Sequence, residues 1–171
     1  MEIQILIYII LLSVIPITVT IFIIIPFLFG ASYEPSRKRV VKQMISFAKP
    51  GKQNKLAELG SGDGKIVIEF AKMGVESHGY EINPILVLWS RYKIKKLKLQ
   101  DKAFIHWKNF WKEDLSKFDI ITIFQFKHLM KPLEKKLKKE LKKDSIILSN
   151  IWKFPNLKPI KESNKVYMYK T

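Results

Sequence analysis

Polar and apolar positions divide the chain into one unbroken apolar stretch and a series of short alternating patterns. From Ile3 to Phe29 no charged residue occurs in 27 positions, and Ile, Leu and Phe fall all round any helix drawn through them. A helix buried in a soluble domain keeps one polar face, and this stretch has none. As a helix it would extend roughly 40 Å against a hydrocarbon core of about 30 Å, so it is expected to span a membrane once. Pro16 is expected to kink it and Pro26 to mark its end. A cleaved signal peptide fits less well, because no basic region precedes the run and the run is too long. Only Glu2 stands before it, whereas Arg37, Lys38, Arg39 and Lys42 follow closely. That asymmetry places the N-terminus outside and the following domain on the cytoplasmic side, or on the matrix side in an organelle.

Beyond the apolar stretch the period changes repeatedly. Pro35 and Ser36 start a helix, with Ser36 as N-cap and Val40, Val41, Met44, Ile45 and Ala48 at helical spacing, closed by Pro50-Gly51. Strands are expected at 55–59, 76–81, 103–107, 118–124 and 145–151, with 166–170 as an edge strand. Helices are expected at 65–73, 84–99 and 132–143, the last with Leu133, Leu137 and Leu141 on its core side. Strands alternating with helices predict an α/β fold, a mostly parallel sheet covered by helices on both faces. The expected organisation is an anchor over 1–30, a linker and pre-domain helix over 31–54, and one globular domain over 55–171.

Composition narrows the possible chemistry. The 171 residues hold 31 Lys+Arg against 15 Asp+Glu, a formal net charge of +16, and no cysteine. Disulfides, cysteine zinc sites and thiol catalysis are excluded. Lysines crowd two expected helices, at 93, 95, 96 and 98 and at 135, 136, 138, 139, 142 and 143. Such faces suit nucleic acid, plain solvation, or an anionic lipid surface beside the anchor. His78, His106 and His128 are scattered, and no metal site is expected.

The segment richest in chemistry follows the first strand: Glu58-Leu59-Gly60-Ser61-Gly62-Asp63-Gly64. Alternate glycines between a strand and a helix bring the backbone close to a ligand, with helix amides behind them. In a doubly wound sheet this is where nucleotide-like cofactors dock. The dinucleotide pattern G-x-G-x-x-G fails, because Lys65 takes the last glycine's place. The phosphate-loop pattern fails as well, with Leu59 and Ile66 at its first and last positions. What remains, E-x-G-x-G-x-G, resembles motif I of the class I S-adenosylmethionine-dependent methyltransferases. Glu81, at the end of the second strand and 17 residues past Gly64, stands where those enzymes keep an acid for the ribose hydroxyls.

The stretches ELGSGDGKIVIEFAKMG and GYEINPILV are more specific. They resemble the small membrane-anchored protein-lysine methyltransferases, whose known members modify the ATP synthase c-subunit and the adenine nucleotide translocase, with prokaryotic relatives. An apolar N-terminal helix, the segment Tyr33-Glu34-Pro35-Ser36 and the step Asn109-Phe110-Trp111 extend the likeness over the whole chain. Two departures are Glu58, where the family usually has Asp, and Phe124-Gln125-Phe126-Lys127, a segment the family varies. The resemblance implies a Rossmann-like, seven-stranded class I methyltransferase domain over 55–171, preceded by one transmembrane helix. It also implies S-adenosyl-L-methionine as cofactor. Gly60, Gly62 and Gly64 would line its methionine and ribose, Glu58 would orient its amino group with Asp63 alongside, and Glu81 would hold the ribose. Ile82 and the Asn109-Phe110 pair would flank the adenine.

Tyr33, Phe110, Trp111 and Phe126 are candidates for an aromatic-walled lysine channel. The Asn/Asp-Pro-Pro-aromatic motif of base amino-methylation is absent, since the fourth strand runs into Phe124-Gln125-Phe126. A short tether between anchor and domain points to a target lysine on a membrane protein, close to the bilayer. The alternatives are a methyltransferase acting on a small lipid-like molecule, and a non-catalytic basic module on a membrane surface or nucleic acid.

Overall fold

The computed structural model describes residues 2–20 and 38–171. Helix α1, Glu2–Val19, is the described part of the N-terminal apolar stretch and continues through Pro16. Its 18 residues extend about 27 Å, short of a hydrocarbon core of about 30 Å. Among the described residues no helix is long and apolar enough to cross a membrane. The expected spanning helix is therefore not found there. The rest of its predicted length, residues 21–29 with Pro26, lies outside the described residues, as do Tyr33 and Ser36.

From residue 38 onward the alternation predicted from the sequence becomes one layered domain. Helix α2 (Lys38–Ala48) leads into β1 (Lys55–Leu59), α3 (Lys65–Ala71), β2 (Glu76–Glu81), α4 (Pro84–Lys96) and β3 (Ala103–Trp107). Then come β4 (Ile120–Ile123), α5 (Met130–Glu140), β5 (Ile146–Asn150), β6 (Lys161–Ser163) and β7 (Val166–Lys170), with short 3-10 turns at Phe110–Lys112 and Lys127–Leu129. The seven strands form one sheet in the order β3-β2-β1-β4-β5-β7-β6. Strands β1 to β5 pair in parallel, while β7 runs antiparallel to both β5 and β6.

Pleating sends alternate residues of each strand to opposite faces. Leu56, Ile120 and Leu148 meet Val41 and Met44 of α2 and Ile66 and Phe70 of α3 on one face. Beside them α4 lays Val87 and Ile94 on Ala103 and Ile105. On the other face Ala57, Leu59, Ile121 and Ile147 carry Met130, Leu133 and Leu137 of α5. Leu141 lies just past that helix, as its C-cap, and is only partly buried.

Two expectations are corrected. The strand 166–170 is not at the edge: β6 pairs along its outer side. Strand β6 itself, all exposed, carries no apolar alternation by which a sequence pattern would find it. Helix α5 opens at Met130, not at Pro132. Pro132 sits in the first turn, where a missing N–H costs nothing.

Candidate functional site

Strand order reverses about β1 and β4, which are neighbours in the sheet while their connections run outward to opposite sides. The carboxyl ends of these strands frame the crevice in which open α/β sheets bind ligands. The glycine segment lies there. Gly60, Gly62 and Gly64 all adopt positive φ, at 84°, 51° and 72°. A Cβ on Gly64 would meet Ser90 of α4 at 3.0 Å, so the loop lies flush against that helix. A Cβ on Gly60 would fall on the amide of Gln125. The loop is tied to β2 by the Gly60 and Ser61 N–H groups, both donating to the Tyr80 carbonyl.

Glu81 ends β2 and is 9% exposed. Its Oε2 accepts from the Gly62 N–H at 2.8 Å, and its Oε1 accepts from the N–H groups of Ile82 at 2.9 Å and Asn83 at 2.8 Å. The carboxylate thus joins the glycine loop to the start of α4, where the Asn83 side chain accepts from Ile85 and Leu86 as an N-cap. A carboxylate offers about four acceptor sites, so Glu81 is held in place with capacity left for a ligand hydroxyl.

Glu58 lies deeper, paired with Thr122 in the β1–β4 register. Burial pushes its carboxyl well above the ordinary carboxylate range; the Val67 N–H draws it back, and the charges of Asp63 and Glu81 raise it further. Four buried side-chain oxygens have no hydrogen-bond partner among the described residues: Glu58 Oε2, Ser61 Oγ, Thr122 Oγ1 and Gln125 Oε1. All belong to the ends of β1 and β4 and the segments that leave them. Buried oxygens without partners are costly. Their concentration beside the glycine loop marks a polar cradle shaped for a ligand that brings donors.

The other residues named from the sequence divide into distinct places. Asp63 turns outward onto α4, where Lys93 Nζ holds its carboxylate at 2.8 Å and its carbonyl at 2.7 Å. Ile82 lies on the rim, its carbonyl accepting from the Trp107 indole at 3.0 Å. Asn109 caps the 3-10 turn by accepting from the Trp111 N–H. Phe110 turns inward and is 4% exposed, part of the core beneath the sheet. Trp111 is half-buried, its ring 5.0 Å from that of Phe110. Phe126 is half-buried as well and stacks on His128 at 5.7 Å.

Sequence reasoning missed Gln125 and Ser90. Gln125 Nε2 donates to the Leu59 carbonyl at 2.8 Å, placing its amide under the glycine loop. Ser90, fully buried on α4, lies 2.9 Å from the Gly62 carbonyl. A polar residue just past the apolar end of the fourth strand was the available signal for Gln125.

The carboxylates of Glu58 and Glu81, the close-lying glycine backbone and the unpaired hydroxyls fit a cofactor that carries an ammonium and ribose hydroxyls. Among the described residues, no group of His, Cys, Asp or Glu could hold a metal ion.

Comparison with known proteins gives the chain its relatives. The ANTKMT methyltransferase domain model matches residues 58–161. The human lysine N-methyltransferase of the ATP synthase c-subunit is 31% identical over 127 residues, covering 74% of this chain and 54% of that protein. A protein-lysine N-methyltransferase of Saccharolobus islandicus is 33% identical over 109 residues, covering 60% of this chain and 68% of its own. This chain spans little more than half the length of the first vertebrate relatives it matches. Among solved structures, an RNA methyltransferase from Salinibacter ruber, in complex with S-adenosyl-L-homocysteine, superposes with a TM-score of 0.77 at 25% identity, over 80% of this chain and 93% of that one. A Bacillus cereus O-methyltransferase shares the fold at 15% identity and a TM-score of 0.59, over 70% of this chain and 59% of its own. With the model matched across more than half its length, the chain belongs to the ANTKMT methyltransferase family.

Proposed function

We propose that the protein transfers a methyl group from S-adenosyl-L-methionine to a lysine side chain of a membrane-associated protein. One observation carries the reading: the buried, partnerless oxygens of Glu58, Ser61, Thr122 and Gln125 gathered beside the glycine loop and Glu81. The names of the relatives support lysine as acceptor. The apolar stretch 3–29 supports a membrane setting, with the N-terminus outside and the domain on the cytoplasmic or matrix side.

When bound, the cofactor supplies an electrophilic methyl on a sulfonium. This chain's residues do the rest. Glu58 receives the amino group, and binding there carries a proton cost, since burial favours the neutral carboxyl. Glu81 accepts a ribose hydroxyl. Gly60, Gly62 and Gly64, whose N–H groups are already bonded within the loop and to β2, would line the cofactor's methionine and ribose with their backbone. Ile82 and Asn109 flank the adenine, with Phe110 packing behind them, and Asp63 fixes the loop through Lys93.

The acceptor must arrive as a neutral amine. A lysine titrating near 10.4 is neutral in about 1 molecule in 2500 at pH 7, a deficit of roughly 4.6 kcal/mol. Desolvation between aromatic walls, and a neighbouring positive sulfur, both lower the amine's pKa. Half-buried Trp111 and Phe126 are assigned to that wall, and Tyr33, assigned to it from the sequence, lies outside the described residues. Holding amine and methyl in line supplies much of the remaining rate.

The likeness to an RNA methyltransferase and the +16 charge favour a second reading, methylation of RNA. Labelled-methyl transfer separates the two. Incubation with isolated membranes is expected to label a protein band, with mass spectrometry locating methyl groups on lysine. Label in RNA and none in protein would reject the lysine reading.

A further inference from the structure

Helix α4 leaves the crevice at Asn83 and presents two unlike faces. Val87, Ser90 and Ile94 pack inward. Ile85, Leu88, Trp89 and Tyr92 stand at positions i, i+3, i+4 and i+7 on the opposite side, and are 59%, 66%, 53% and 56% exposed. The Trp89 and Tyr92 rings stack with centroids 5.6 Å apart, a continuous aromatic plate more than half exposed. At its crevice end stands Trp107, 62% exposed, its indole bonded to the Ile82 carbonyl. At its far end stand Lys95, Lys96 and Lys98, all exposed. None of these three has an acidic partner among the described residues, whereas on and beyond α5 Lys136, Lys138 and Lys142 are paired with Glu140, Glu134 and Asp119.

We propose that this face of α4, with Trp107, docks flat on an anionic lipid surface, so that the mouth of the crevice opens beside the bilayer. Aliphatic side chains, ring systems with polar tips, and free lysines on one exposed helical face are the composition of an interfacial helix. Tryptophan and tyrosine settle at the headgroup level for the same reason. Three free cations favour a negatively charged surface over a neutral one. The same chain carries α1, whose described side chains are all exposed and apolar in the main, so lipid lies within reach of the domain. The inference rests on the proposed function only in naming the surface beside which that reaction would occur.

The test uses the full chain in vesicles of phosphatidylcholine, with or without phosphatidylglycerol, in which part of the phosphatidylcholine is brominated high on its acyl chains. Because the exposed apolar side chains of α1 can themselves bind lipid in every variant, total binding is uninformative and local quenching is the readout. Wild-type tryptophan emission is expected to be quenched in anionic vesicles. Trp89→Phe and Trp107→Phe should each remove a share of that quenching. Lys95→Glu with Lys96→Glu, uncharged vesicles, or an ionic strength of about 1 M, where the screening length is about 3 Å, should lower it by about half or more. Equal quenching in wild type and Trp89→Phe would overturn the proposal. So would sedimentation showing a dimer that Leu88→Ser dissociates, because a second copy would then cover the face. Calorimetry with S-adenosyl-L-methionine on the same samples keeps the two readings apart: cofactor binding without Trp89 quenching sinks only the docking surface, and quenching without cofactor binding sinks only the enzyme.

Discussion

Two glutamates set the chemistry of the crevice, and their surroundings give them different roles. Glu81 is held by three backbone N–H donors, so it shapes the turn as well as the ligand site. Glu81→Ala would leave those donors unpaired and is expected to lower stability by about 1–3 kcal/mol, read from the urea midpoint. Glu81→Gln keeps an acceptor for the turn while removing the charge. Its cofactor affinity is expected to fall about 10- to 100-fold by calorimetry. Glu58 is different, since burial raises its carboxyl above the ordinary 4.5. The folded state therefore binds its proton more tightly than the unfolded chain does, and stability is lost as pH rises from about 4.5 through the folded value. Glu58→Gln should raise the melting temperature of the cofactor-free protein at neutral pH and weaken cofactor binding. A melting temperature unchanged or lowered there would show that the carboxyl is not held neutral. Glu58 was legible from its place before the glycine-rich segment and Glu81 from its place at the end of the second strand. Gln125 offered only its polarity after an apolar strand, and its part became clear only with β4 lying beside β1, which sets its amide under the Leu59 carbonyl.

At the scale of elements, the glycine loop and α4 act as one unit. Gly64→Ala places a methyl 3.0 Å from Ser90 at a φ of 72°. It is expected to cost about 1–3 kcal/mol, with a matching shift in the denaturation midpoint. Strands β2 and β3 carry a second linked pair. His78 Nδ1 lies 2.9 Å from His106 Nε2, and His78 Nε2 lies 3.0 Å from the Glu76 carboxylate. Burial lowers both imidazoles below the ordinary 6.5, against the pull of Glu76 on His78 and with Lys108 and Lys117 adding to the fall at His106. The folded state binds these protons less readily than the unfolded chain, so stability present above about 6.5 is lost as pH falls. Thermal melts should be flat above that point and drop below it, and His106→Gln should reduce the drop. Strands β1, β2, β3 and β7 keep the bounds that the pattern predicts, whereas β4 is shorter than its apolar run 118–124, because Phe118 and Phe124 flank the paired residues. Strand β6 escaped because every residue is exposed, and the ends of α4 and α5 shifted because capping at Leu97 and Leu129 owes little to apolar spacing.

Across the whole molecule, the strand-helix alternation implied the layered sheet before its order was known. The inversion at β1 and β4, and the antiparallel β7, depend on contacts between distant segments and entered only with the structure. The charge of +16 was visible at once, but its meaning was not. Only the fold separates paired lysines, such as Lys93, Lys136, Lys138 and Lys142, from Lys95, Lys96 and Lys98 at the far end of α4, which have no acidic partner among the described residues. The central claim concerns the crevice, and titration calorimetry of S-adenosyl-L-methionine into the full chain addresses it directly. One cofactor is expected to bind per chain, with heat that vanishes or falls sharply in Glu81→Gln while that variant keeps its cooperative melt. Absence of heat with the folded wild type, or equal affinity in both proteins, would contradict the assignment of the site.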